Sequence, residues 1–152
     1  MIGRESKFSN DLFYVCSLIE YIARKTKNKP SFVIDKLGTD RLRKVYELAD
    51  IYHSENIESV AQELIEKYNI QSGDYDTVSH CKYAVPTHWD IGKVYKRLIK
   101  SVSEETGNDV IDTLTEVFSS RIVDLIENYN SSFYYDSPNA IYAAYQNNCI
   151  PE

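Results

Sequence analysis

Apolar residues recur every three or four positions through most of the chain, broken by short polar stretches, which is the pattern of amphipathic helices. Between residues 9 and 27, Leu12, Val15, Cys16, Ile19, Ile22 and Ala23 form one stripe, and Phe13, Tyr14, Leu18 and Tyr21 widen it. The spacing predicts a central helix covered on two sides, with Ser9 as its N-cap. Pro30 can open a short second helix to residue 37, and Gly38 ends it. Thr39 caps a third helix carrying Leu42, Val45, Tyr46, Ala49 and Tyr52. After the turn HSEN, Ile57, Val60, Ala61, Leu64, Ile65 and Tyr68 make the cleanest stripe, a fourth helix.

Residues 70–86, IQSGDYDTVSHCKYAVP, have no helical period and contain turn formers. They predict an irregular linker within one helical domain spanning 1–152, with 8–69 and 87–148 as possible halves. Thr87 with Asp90 three positions on is a relative of the capping box and opens a fifth helix through Ile91, Val94, Tyr95, Leu98, Ile99 and Val102. The stretch EETGN breaks it, Asn108 caps a sixth helix running to about residue 128, and Ser137-Pro138 starts a short last helix. No segment alternates as a strand would. The expected fold is all-α, a compact bundle of six or seven helices.

Composition narrows the function. A chain of 152 residues has length for one substantial core, and 5 glycines with 4 prolines suit long helices rather than many short strands. The net charge of −6 disfavours nucleic acid as a partner. No apolar run approaches the roughly 20 residues that span a bilayer. The N-terminal MIGRESKFSND lacks a signal-peptide pattern. Cys16, Cys81 and Cys149 are odd in number, far apart and without a CxxC, which fits free thiols in a reducing compartment. A soluble cytoplasmic protein is expected, with no membrane contact.

Chemistry concentrates in HCKYAVPTHWDIG, residues 80–92. His80, Cys81 and His88, even with His53, lack the paired short spacings of a metal site, so no metal or other cofactor is expected. Cys81 has no local group to activate it, and no hydrolase, phosphate-loop or metalloprotease motif occurs, so no catalytic residue and no enzyme is expected. The acidic residues read as solvated helical faces. Trp89 suits an anchor for the helix start, or an interface hot spot. Gly92 sits inside a helix at a cost of about 1 kcal/mol, on the face of Tyr95 and Ile99, which implies close approach by another helix or a ligand. Arg121 falls on the apolar stripe of the sixth helix, either snorkelling to water or paired as a half-buried cation.

The C-terminal stretch gathers Tyr129, Phe133, Tyr134, Tyr135, Tyr142 and Tyr145, in a chain with 13 tyrosines against 5 phenylalanines. Tyrosine offers contact area with a polar tip, so this end is the leading interface candidate, and Tyr142 and Tyr145 share a helical face. A competing reading takes residues 31–48 as a helix-turn-helix-like pair with Arg41, Arg43 and Lys44 towards DNA.

Residues 8–70 also carry Cys16, Ile19, Glu20, Val33, Leu37, Gly38, Leu42, Tyr46 and His53 in an order that resembles a family of small, uncharacterised bacterial helical proteins. Members of that family are similar to antitoxin-like accessory proteins encoded beside predicted ADP-ribosyltransferase-type toxins. The resemblance includes no catalytic motif and does not extend to the second half. It implies a protein partner in a bacterial two-gene unit. The functional expectation is therefore a protein-interaction module, binding a partner or forming a homo-oligomer, with a DNA-binding regulator as the alternative.

Overall fold

Lys7–Thr26 forms helix α1, and 13 of its 20 residues are buried. Its stripe follows the spacing: Leu12, Val15, Cys16, Ile19, Ile22 and Ala23 are all in the core, Tyr14 and Leu18 join them, and Phe13 and Tyr21 are only half-buried. Ser9 is not its cap; the helix already includes Lys7, and Ser9 is buried with its Oγ accepting a hydrogen bond from Lys96 Nζ. These features come from a computed structural model that describes residues 7–149, the side chains of Asn148 and Cys149 excepted. The signal-peptide expectation at residues 1–6 and the Cys149 thiol lie outside the described residues.

Helix α2 runs Pro30–Glu47 with Pro30 in its first turn. Gly38 interrupts it at φ 82° and ψ 157°, a backbone position that a residue with a Cβ resists, and so the predicted second and third helices meet at a one-residue kink. The predicted third helix breaks again at Leu48, leaving Ala49–Tyr52 as a separate short α3. Helix α4, Ile57–Lys67, follows, with Asn56 Oδ1 accepting from the Glu58 N–H at 2.7 Å.

Residues 70–86 contain no helix, as their pattern implies. They do not hang free. The Gly73 and Tyr75 amides donate to the carbonyls of Thr26 and Lys27, which fastens the linker to the end of α1.

Helix α5, His88–Thr106, opens with a complete capping box: Asp90 N–H donates to Thr87 Oγ1 at 3.0 Å, and Thr87 N–H donates to Asp90 Oδ2 at 2.9 Å. Gly107 closes it in the left-handed region, at φ 75°.

The predicted sixth helix is two helices, α6 (Val110–Phe118) and α7 (Ile122–Ile126). Ser120 is the reason. Its Oγ donates to the Val117 carbonyl at 2.7 Å and accepts from the Ile122 N–H, drawing the backbone out of the helical ladder. The cap of α6 is Asp109 rather than Asn108, with Asp109 Oδ2 accepting from the amides of Ile111 and Asp112. A 3-10 turn, Phe133–Tyr135, precedes α8, Pro138–Ala144, which Ser137 caps as its sequence implies. The chain then passes into a π-helical turn, Tyr145–Cys149.

The described residues thus hold eight α-helices and no strand. Helix α1 packs most extensively along α5, so the two halves of the sequence meet over a long contact, and α2 and α4 flank α1 while α6 and α8 flank α5. No described helix is long and apolar enough to cross a membrane.

Candidate functional site

The start of α5 lies between α1 and an open groove. On the α1 side, a Cβ placed on Gly92 would stand 2.8 Å from Ser17 Cα and 2.9 Å from its backbone nitrogen. Gly92 therefore serves a helix crossing within this chain. Trp89 leans on Phe13 of α1 with ring centroids 5.6 Å apart and keeps about a third of its surface exposed. His88 meets Tyr21 edge-on at 5.1 Å, and its Nε2 is buried with no hydrogen-bond partner. Burial, and then the charge of Arg24, hold its pKa below the ordinary histidine value.

On the other side of α5 is a groove of about 580 Å³. Its floor is aliphatic, from Val94 and Leu98 of α5 and Ile141 of α8. One wall is the end of the linker, Ala84–Pro86; the other is the 3-10 turn, with Tyr134 and Tyr135. Tyr135 is 82% exposed, far more than a structural aromatic needs, and Tyr83 beside the linker wall is 68% exposed. Lys93 and Arg97, one turn apart on α5, stand exposed on the rim, and neither has an ion pair among the described residues. Two of the tyrosines that the sequence marks as interface candidates thus line a real concavity.

Between α1, α5 and the end of α7 lies a polar cluster that sequence reasoning missed. Glu20 of α1 and Glu127, just after α7, are 0% and 3% exposed. Glu20 Oε2 accepts from Arg24 Nε at 3.0 Å and from the Tyr129 hydroxyl at 2.8 Å. Glu127 Oε2 accepts from the Tyr95 hydroxyl at 2.8 Å, and its Oε1 is 3.2 Å from the Tyr129 oxygen. Arg24 Nη2 donates to that same Tyr129 oxygen at 2.9 Å.

The hydrogens available to this cluster argue for a proton on Glu127. Two carboxylates would face a single guanidinium. Tyr129 has one hydroxyl hydrogen for two carboxyl groups, and Glu20 Oε1 is buried with no donor facing it. With the Tyr129 hydrogen given to Glu20, a proton on Glu127 Oε1 accounts for its 3.2 Å contact with the Tyr129 oxygen and brings the cluster to zero net charge. Burial first, and then the negative charge of Glu20, raise the Glu127 pKa well above the ordinary carboxyl range, in keeping with that count. Burial also raises the Tyr95 and Tyr129 hydroxyls, which stay protonated as donors.

The remaining candidates fall apart spatially. Arg121 is exposed at the N-cap of α7, because the break at Ser120 removes it from the stripe it was read into. Tyr95 and Tyr145 are interior, the latter facing Glu116, and Tyr142 is half-buried beside Gln146. Arg41 donates to the Tyr68 hydroxyl at 2.6 Å, Arg43 pairs with Asp109 and Asp112, and Lys44 is exposed. His53 rests on Tyr14, and the carbonyl of His80 accepts from Asn130. Cys81 is a half-buried free thiol. Among the described residues no three His, Cys, Asp or Glu side chains are placed to hold a metal ion. Comparison with protein-family models, with curated proteins and with solved structures finds no match to this chain.

Proposed function

We propose that the protein is an interaction module whose groove receives an amphipathic segment of a partner protein, apolar on one face and polar along the flank. One observation carries this reading: an aliphatic floor is rimmed by a largely exposed tyrosine and by exposed charges of both signs, Lys93 and Arg97 with Asp90 and Asp136. An apolar face would bury against Val94, Leu98 and Ile141, Tyr135 would close over it, and polar groups of the partner would meet Lys93, Arg97 and Asp136 at the rim. Exposed tyrosine loses little side-chain entropy on docking, so its contact area converts to affinity at low cost. The resemblance of residues 8–70 to antitoxin-like accessory proteins is of a piece with a protein partner from a neighbouring gene.

The test is capture of the neighbouring gene's product by tagged protein, with Tyr135→Ala plus Arg97→Glu compared with Ile51→Ser, a change at an exposed position away from the groove. The reading predicts a stoichiometric complex that survives the Ile51 change and is lost in the groove variant. A complex indifferent to the groove variant, or no complex at all, overturns it. A mass showing that a second copy of this chain fills the groove overturns the partner-protein reading in favour of self-association.

A further inference from the structure

Both walls of the groove hang from two consecutive residues, and the first of them belongs to the buried carboxyl cluster. Tyr129 gives its hydroxyl to Glu20. Its ring meets Tyr134 edge-on at 5.8 Å, and Tyr134 meets Tyr135 at 5.7 Å, so the aromatic wall stacks outward from the cluster. Asn130 holds the other wall. Its Oδ1 accepts from the Lys82 N–H at 2.7 Å and its Nδ2 donates to the His80 carbonyl at 3.0 Å, while Cys81 Sγ approaches the Tyr129 carbonyl at 3.8 Å. The segment so clamped leads directly into Ala84–Pro86. A displacement of residues 127–130 reaches both walls.

The cluster has a reason to be displaced. When the proton on Glu127 is lost to solvent, the net charge of the cluster goes from zero to −1. The side chains bonded into the cluster around Glu127 are already committed. From α1 come Glu20, a second anion, and Arg24, which is bound to Glu20 and Tyr129. From α5 comes Tyr95, with its single hydrogen already given to Glu127. His88, at the start of α5, lies within the field of Arg24 and Glu20, and Tyr75 of the linker feels the charges of Glu127, Asp124 and Glu20. None offers a second cation. A buried carboxylate without one moves towards water rather than remain dry.

We propose that the groove is proton-linked: it holds its binding shape only while the buried carboxyl of Glu127 keeps its proton, and deprotonation moves Tyr129 and Asn130 and with them both walls. This regulation rests on the groove being the site of function, but its structural half can be read without any partner. In nuclear magnetic resonance of the full chain labelled with carbon-13 in tyrosine and glutamate, titrated from pH 5.5 to 9, the Tyr134 and Tyr135 ring signals are expected to shift with the same midpoint as the Glu127 carboxyl carbon. Glu127→Gln, a neutral mimic of the protonated carboxyl, is expected to hold those rings at their acid-side positions throughout. Glu20→Gln removes the second charge from the other side and gives the same flat response should the first variant fold poorly. If Glu127 titrates while the two rings stay still, or if it does not titrate in this range, the linkage is wrong. Rings that follow Glu127 in a protein that captures no partner establish the linkage and count against the proposed function alone.

Discussion

Gly92 and Ser17 meet backbone to backbone: a Cβ on the glycine would come within 2.9 Å of both the Cα and the amide nitrogen of the serine. Helices α1 and α5 can therefore lie closer than two side chains allow, and the aromatic and carboxyl groups on either side of the crossing are brought into contact by it.

Gly92→Ala is expected to destabilise the protein. Overpacking costs roughly 1–3 kcal/mol, and a clash with backbone, which cannot rotate away, belongs at the upper end. Alanine returns only about 1 kcal/mol of helix propensity. The urea midpoint should fall, and Ser17→Gly should not rescue it, because the atoms in conflict are not confined to the serine side chain.

Stability should decline with rising pH where most proteins are level. The Glu127 pKa lies well above its ordinary 4.5, so in that interval the folded chain holds a proton that the unfolded chain has released. The contribution is full in acid and is lost as the pH climbs through the folded value, by up to about 1.4 kcal/mol per pH unit. His88 acts in the opposite sense: its folded pKa is depressed from 6.5, so its contribution grows as the pH rises towards 6.5. Urea melts between pH 6.5 and 8.5 avoid that offset. A falling midpoint is expected for wild type and a flatter one for Glu127→Gln.

Asn130→Ala should loosen the linker wall while leaving the core intact. The two hydrogen bonds it removes, to Lys82 N–H and the His80 carbonyl, are solvent-exposed. Together they are worth about 1.4 kcal/mol, so the Lys82 amide should exchange about tenfold faster with solvent. Amides in the middle of α1 should be unaffected.

Duplex DNA should not be retained at low salt. Two of the three basic residues proposed to face it, Arg41 and Arg43, are occupied by Tyr68 and by Asp109 with Asp112. Retention that weakens with salt and disappears when Arg41, Arg43 and Lys44 are all changed to Glu would restore the regulator reading.

Much of the architecture was legible because it depends on phase along one helix at a time. The stripes of α1, α4 and α5, the Thr87–Asp90 capping box and the Ser137-Pro138 start all appear where their spacing puts them. The break at Ser120 was not legible, since a serine inside a helix can point outward as readily as it can bond back to its own backbone. That single break displaced Arg121 from the face it was assigned.

The carboxyl cluster was half legible. Glu20 lies four positions after Cys16 and three before Ala23, and Glu127 four after Val123, which puts both acids in phase with buried residues. Treating acids in general as solvated hid that signal. The convergence of the two on Tyr95 and Tyr129, by contrast, is set by how α1, α5 and the end of α7 pack, and no local pattern carries it.

Helix α1 has one further consequence, for the chain as it is being made. It leaves the ribosome well before its most extensive contact, α5, which begins only at His88. Until then Phe13 and Tyr21 lack the α5 aromatics, Trp89 and His88, that they pack against, and the closure that finally covers them spans a long stretch of sequence. A helix made before its main partner is thus completed only after it, and a helper that shields this protein during synthesis has the α5-facing side of α1 to cover.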